Sequence, residues 1–142
     1  MTCRVAIIGL GMVARLHIQA VNSLSGFQVY GLFSRDESKT QDFAKKYAKD
    51  AKIFKQFDEL CDDEEIDLVL LLTPPNARLD YIKALTKVGK PVIVEKPLER
   101  DFEVSLNCCL GLVKRLNIDL SVLVSDLSFP FSSKSLRISS MI

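Results

Sequence analysis

The sequence predicts an α/β fold, a doubly wound parallel sheet of about six strands with helices on both faces. Three observations carry that expectation. Short apolar runs alternate along the chain with longer segments of helical spacing. The run Val5 to Ile8 passes through Gly9-Leu10-Gly11-Met12-Val13-Ala14 directly into one of those segments. Ile66 to Leu72, Ile-Asp-Leu-Val-Leu-Leu-Leu, is almost continuously apolar, as a strand covered on both faces is.

Cys3 to Ile8 is the first strand, and in the helix after it Val13, Leu16, Ala20 and Leu24 fall on one face, which is expected to pack inward. Gly26 ends that helix. Phe27 to Phe33, rich in aromatic and β-branched residues, is the second strand. Asp36 or Ser38 can cap the next helix, which runs to about Lys49 with Phe43, Ala44 and Tyr47 facing in. Ile53 and Phe54 mark a short third strand, and Phe57 with Leu60 a short helix. The acidic run Asp62-Asp63-Glu64-Glu65 behind it reads as a solvated loop.

Ile66 to Leu72 belongs at the centre of the sheet, and Thr73-Pro74-Pro75-Asn76 stops it abruptly. A helix follows through Leu79, Ile82, Ala84 and Leu85 to Gly89, then a fifth strand from Pro91 to Val94. Asp101 can cap a helix running to about Leu116, and Ile118 to Val124 completes six strands. Strands separated by crossover helices are parallel and right-handed, which makes the architecture an open sheet of Rossmann type. Residues 1–124 form this domain, and residues 125–142 form a Ser-rich tail of no sustained period.

At 142 residues the length is that of one domain, and the formal net charge of +1 gives no reason to expect nucleic acid or an anionic membrane as a partner. Neither a signal peptide nor a membrane-spanning run is visible, so the expected location is cytoplasmic. Cys3, Cys61, Cys108 and Cys109 have neither C-x-x-C nor paired Cys/His spacing, so no metal is expected and they read as small hydrophobes.

The glycine turn is the main chemical signal. Gly9 suits the tight turn, Gly11 lets backbone approach a pyrophosphate, and Ala14 takes the small position where helix packs closely on strand. Gly9, Leu10, Gly11, Met12 and Val13 would then line the phosphates, facing the N–H groups and positive dipole end of the first helix. At the end of the second strand, an NAD-specific site wants a carboxylate for the ribose 2′-OH. Here the residues are Ser34 and Arg35, which suit a 2′-phosphate and favour NADP over NAD, while the neighbouring Asp36 can equally be a helix cap.

The ordered set Gly9-Leu10-Gly11, Ser34-Arg35, Thr73-Pro74-Pro75-Asn76 and Gly89-Lys90-Pro91-Val92-Ile93-Val94-Glu95-Lys96-Pro97-Leu98 resembles the Gfo/Idh/MocA family, the glucose-fructose oxidoreductase and inositol dehydrogenase group. The resemblance covers roughly residues 3–124, and Glu-Lys-Pro after a G-K-x-V strand is its most specific part. It implies an NAD(P)-dependent oxidoreductase acting on sugars, cyclitols or related alcohols, with a second α/β domain that carries substrate and often supports oligomerisation. By that resemblance Thr73, Pro74 and Asn76 lie under the central part of the cofactor. Lys96 would reach cofactor ribose and substrate hydroxyl as the catalytic residue, and Glu95 would help hold the site. From the residues alone, Pro74-Pro75 can be a plain strand terminator and Glu95-Lys96 an exposed charge pair.

Two departures stand out. Arg78 occupies a position where many members carry a His, and the second domain with its catalytic Asp/His pair is expected to be absent, through truncation or a frame shift rather than as a naturally short paralogue. The resulting expectation is a nicotinamide-dinucleotide-binding domain, inactive alone toward a polyol or sugar and prone to self-association as a homo-oligomer. The alternative is a non-enzymatic dinucleotide-binding sensor or subunit. His17, the only histidine, is read as a packing or hydrogen-bonding residue distant from the strand ends, and on the helix after Asn76 only Arg78 lies near enough to its start to be worth testing.

Overall fold

The computed structural model describes residues 2–95. Lys96, the helix expected up to Leu116, the sixth strand, Cys108, Cys109 and the Ser-rich tail lie outside the described residues.

Within them the elements run β1 (Cys3–Ile8), α1 (Ala14–Ser23), β2 (Phe27–Phe33), α2 (Glu37–Tyr47), β3 (Lys52–Ile53), α3 (Phe57–Asp62), β4 (Leu68–Leu71), a 3₁₀ turn (Pro75–Ala77), α4 (Arg78–Lys87) and β5 (Val92–Val94). The strands are all parallel, in the order β3-β2-β1-β4-β5. The chain therefore leaves β1 in one direction for β2 and β3, and in the other for β4 and β5. β1 is the middle strand; β4 lies beside it between β1 and β5, interior but off centre.

Alternation along the strands divides the core into two layers. Val5, Ile7, Leu32, Leu70 and Leu72 point to one face, where Ala14, Ile18 and Val21 of α1 and Ala44 of α2 cover them. Ala6, Ile8, Phe33, Val69 and Leu71 point to the other, under Leu60 of α3 and Ile82 and Leu85 of α4. Double coverage explains why β1 and β4 read as unbroken apolar runs. Gly31 of β2 has a packing cause as well: a Cβ there would overlap the Phe54 ring, which is buried against it.

The inward face of α1 differs from expectation. Ala14, Ile18 and Val21 are buried, whereas Val13, Leu16 and Leu24 are 36%, 57% and 53% exposed and Ala20 is exposed as well. The close helix–strand contact at Ala14 sets the rotation of this short helix, and positions i, i+4 and i+7 from it then face the sheet. Gly26, at φ +83°, lies two residues beyond the C-cap Leu24 and turns the chain into β2, its carbonyl accepting from Cys3 N–H at 2.7 Å.

The acidic run is also more than a solvated loop. Asp62, Glu64 and Glu65 are exposed, but the Asp63 side chain is only 7% exposed. Its carboxylate accepts from Lys52 Nζ at 2.5 Å, the Tyr30 hydroxyl at 3.3 Å and Glu65 N–H at 3.0 Å, while its carbonyl accepts from Lys90 Nζ at 2.7 Å. Tyr30 is available because the β1–β2 register slips between Val5 and Ala6, pairing them with Val29 and Gly31. The Asp63 side chain thereby ties β2 and β3 to the turn before β4, and its carbonyl ties in the residue before Pro91 and β5.

Candidate functional site: a cleft at the strand ends

The carboxyl ends of β1, β2, β4 and β5 are joined by backbone hydrogen bonds that outlast the strands. Gly9 N–H donates to Phe33 O at 3.0 Å, Leu72 N–H to Ile8 O at 2.8 Å, and Glu95 N–H to Leu71 O at 3.0 Å. These four strand ends are thus held in fixed relation, around a cleft of about 480 Å³. It straddles β1 and β4, where the chain order reverses and open parallel sheets hold ligands.

From β1 the cleft takes Gly9 through Val13. Gly9 has φ +94°, and a Cβ there would lie 2.8 Å from Thr73 N, so both conformation and space demand glycine. Gly11 differs: a Cβ would meet nothing within 4 Å, which leaves its backbone open to an incoming group. No side chain caps α1, whose N-cap is Val13. At α2, by contrast, the Asp36 carboxylate takes Lys39 N–H at 3.1 Å, an interaction that, with the nearby Lys39 charge, holds Asp36 below the usual carboxylate range. Among the described residues, a capping carboxylate thus meets the N-terminal dipole of α2, whereas the N-cap and first turn of α1 carry none.

From β2 come Ser34, Arg35 and Asp36. The Ser34 hydroxyl is engaged in the turn, 3.0 Å from Asp36 O and 2.7 Å from Thr40 Oγ1. Arg35 is exposed on the rim. The end of β4 brings Thr73 and Pro74, the 3₁₀ turn brings Ala77, and α4 brings Arg78 and Tyr81; Asn76 does not line the cleft. The Thr73 hydroxyl is buried and has no hydrogen-bond partner among the described residues. Such a group costs stability unless a bound molecule answers it. The side chain of Arg78 is almost completely buried, donating through Nε to Thr73 O at 2.6 Å and through Nη1 to Glu95 O. It therefore clasps the ends of β4 and β5 from the position at which, by the resemblance, many members carry a His.

Glu95 closes the cleft at the end of β5. Contrary to expectation, His17 reaches this strand end, with Nε2 lying 3.2 Å from Glu95 Oε2. Tyr81, thought too far along its helix, also lines the cleft, its ring edge-on to Phe57 at 4.8 Å. Neither was legible from local pattern, because both positions depend on how α1 and α4 lie across the sheet.

A wider depression of about 800 Å³ lies between α2 and β3, lined by Glu37, Gln41, Lys45, Lys49 and Lys55 over apolar Ala44, Ala51 and Ile53. It touches neither the glycine turn nor the ends of β1, β4 and β5, and size alone does not make it the site.

A glycine turn, an open helix N-terminus and a cleft at the sheet's reversal define a Rossmann domain of the dinucleotide-binding class. The chain belongs to the Gfo/Idh/MocA family, described as an oxidoreductase family with an NAD-binding Rossmann fold, which it matches over residues 3–109. It is 31% identical over 121 residues to an uncharacterised oxidoreductase of Schizosaccharomyces pombe, covering 84% of this chain and 32% of that protein. It is 29% identical over 99 residues to inositol 2-dehydrogenase of Salmonella paratyphi B, covering 69% of this chain and 30% of the enzyme. The chain thus spans about a third of the length of these relatives. Among solved structures, the fold matches KijD10, a 3-ketoreductase from Actinomadura kijaniata in complex with NADP, with a TM-score of 0.72 and 20% identity, over 82% of this chain and 34% of that one. No helix among the described residues is long and apolar enough to cross a membrane, and no group of three or more His, Cys, Asp or Glu there could hold a metal ion.

Proposed function

We propose that this chain is the dinucleotide-binding part of an NAD(P)-dependent oxidoreductase acting on a sugar, cyclitol or related alcohol. The observation that carries the reading is the open space over Gly11, set before an α1 N-terminus that no side chain caps. A pyrophosphate there accepts from backbone N–H groups and meets the positive end of the helix. The Thr73 hydroxyl, without a hydrogen-bond partner among the described residues, gives the central part of the cofactor a partner. When bound, the nicotinamide supplies the hydride acceptor or donor.

The reading favours NADP. Asp36, the only carboxylate near the end of β2 that lines the cleft, is drawn into capping α2, and the Arg35 guanidinium beside it on the rim can donate to a 2′-phosphate. The catalytic role falls to Lys96, directly after Glu95 in sequence: an ammonium beside the reacting oxygen stabilises developing negative charge and can move the hydroxyl proton. Inositol 2-dehydrogenase among the relatives supports a polyol substrate. Apolar Leu16 on the outer side of α1 and Leu24 at its C-cap, 57% and 53% exposed, support self-association.

Calorimetric titration with NADPH and NADH tests this on the wild type and Gly11→Val. Because the position is open, Gly11→Val should melt like the wild type yet bind at least about tenfold more weakly, a loss of about 1.4 kcal/mol. Equal binding by both proteins would remove the site from this turn.

A further inference from the structure

Glu95 is held by three separate elements. Its N–H donates to Leu71 O of β4, its carbonyl accepts from Arg78 of α4, and its carboxylate faces His17 of α1 at 3.2 Å. A surface ion pair of two flexible side chains would be worth little. This one differs in placement: α1 carries the phosphate turn at its start, Glu95 lines the cleft at the end of β5, and His17 joins the two past the intervening β4.

We propose that His17 is a positioning residue, which holds the Glu95 carboxylate and thereby fixes the end of β5 against the helix that receives the pyrophosphate. The imidazole thus adds a side-chain tie between α1 and the nicotinamide half of the cleft to the backbone bonds that already hold the strand ends. This rests on the dinucleotide reading above, with the adenosine half over β2 and the nicotinamide half over β4 and β5. His17 acts on one half only. Its loss should be felt through the nicotinamide and not through the adenosine.

The test compares two ligands, NADPH and 2′-phospho-ADP-ribose, which lacks the nicotinamide, on the full chain and on His17→Ala, His17→Gln and His17→Asn. The chain has no Trp, so reduced-nicotinamide emission can be followed beside calorimetry. In His17→Ala the affinity advantage of NADPH over the fragment should shrink about three- to tenfold, the range for a charge-assisted contact that is partly exposed, with fragment affinity unchanged. The contact is made through Nε2, which a Gln amide nitrogen can approximate and the shorter Asn cannot. His17→Gln should therefore keep the advantage and the emission of the wild type, while His17→Asn should behave like His17→Ala. That pair also decides the matter if His17→Ala fails to fold. Equal weakening of both ligands, an unchanged advantage in His17→Asn, or a wild type that binds the fragment as tightly as NADPH would overturn the inference and leave the dinucleotide reading standing. A wild type that binds neither ligand would overturn both.

Discussion

Replacing Arg35 with Ala separates the two nicotinamide cofactors. Of the three polar residues at the end of β2, Ser34 has its hydroxyl committed to Asp36 O and Thr40, and Asp36 has its carboxylate committed to Lys39 N–H. Arg35 is left as the side chain able to meet a 2′-phosphate. A charge-assisted hydrogen bond contributes about 1.5–3 kcal/mol, and exposure on the rim puts this one at the lower end, so NADPH should weaken about tenfold. NADH carries no phosphate at that position and should change less than about twofold. Arg35→Lys, which keeps the charge but loses the planar fork, should fall between them. Titrations at low and moderate salt give a second axis, because an exposed charge contact is screened: the NADPH advantage of the wild type should shrink as salt rises, and that of Arg35→Ala should not. Equal losses for the two cofactors, or a wild type that prefers NADH, would show that Arg35 does not read a phosphate.

Gly9→Ala should lower stability by about 2–3 kcal/mol in denaturant unfolding, since it combines an unfavourable backbone conformation with a contact against Thr73 N; a neutral result would mean that the turn can relax. Asp63→Ala, which strips three donors of a shared and largely buried acceptor, should cost about 2–4 kcal/mol, far more than Glu64→Ala in the same exposed turn. The Asp63 carboxylate raises the Lys52 pKa above the usual lysine value of 10.5. Lys52 therefore adds stability that is complete below pH 10.5 and lost as pH rises through its higher folded value, and Asp63→Ala should abolish that alkaline limb of the unfolding curve.

The βα turn, the strand series and the Asp36 cap were legible in the sequence because each is written in neighbouring residues: a glycine spacing, an apolar run, an acceptor just before a helix. Most of the residues proposed to bind cofactor line one cleft for a topological reason, since parallel strands deliver their following turns to one edge. The rotation of α1 was not legible, because Val13, Leu16 and Leu24 offer as good an apolar stripe as Ala14, Ile18 and Val21, and only contact with the sheet chooses between them. Asp63 was hidden for a different reason. Its neighbours Asp62, Glu64 and Glu65 are solvated, and the partners that bury it come from distant strands. The meeting of His17 with Glu95, like the burial of Arg78 beneath two strand ends, likewise joins residues far apart in the chain.

The absence of a side-chain cap on α1 has a bearing on the life of the protein in a cell. A ten-residue helix is marginal by itself, and one whose N-cap Val13 offers no side-chain acceptor gains stability from an anion bound at its start. Cofactor then acts as a folding partner as well as a reagent: at a hundredfold excess over its dissociation constant it deepens the native well by about 2.7 kcal/mol. Molecules starved of it would open more often at the start of α1, where proteases gain their foothold.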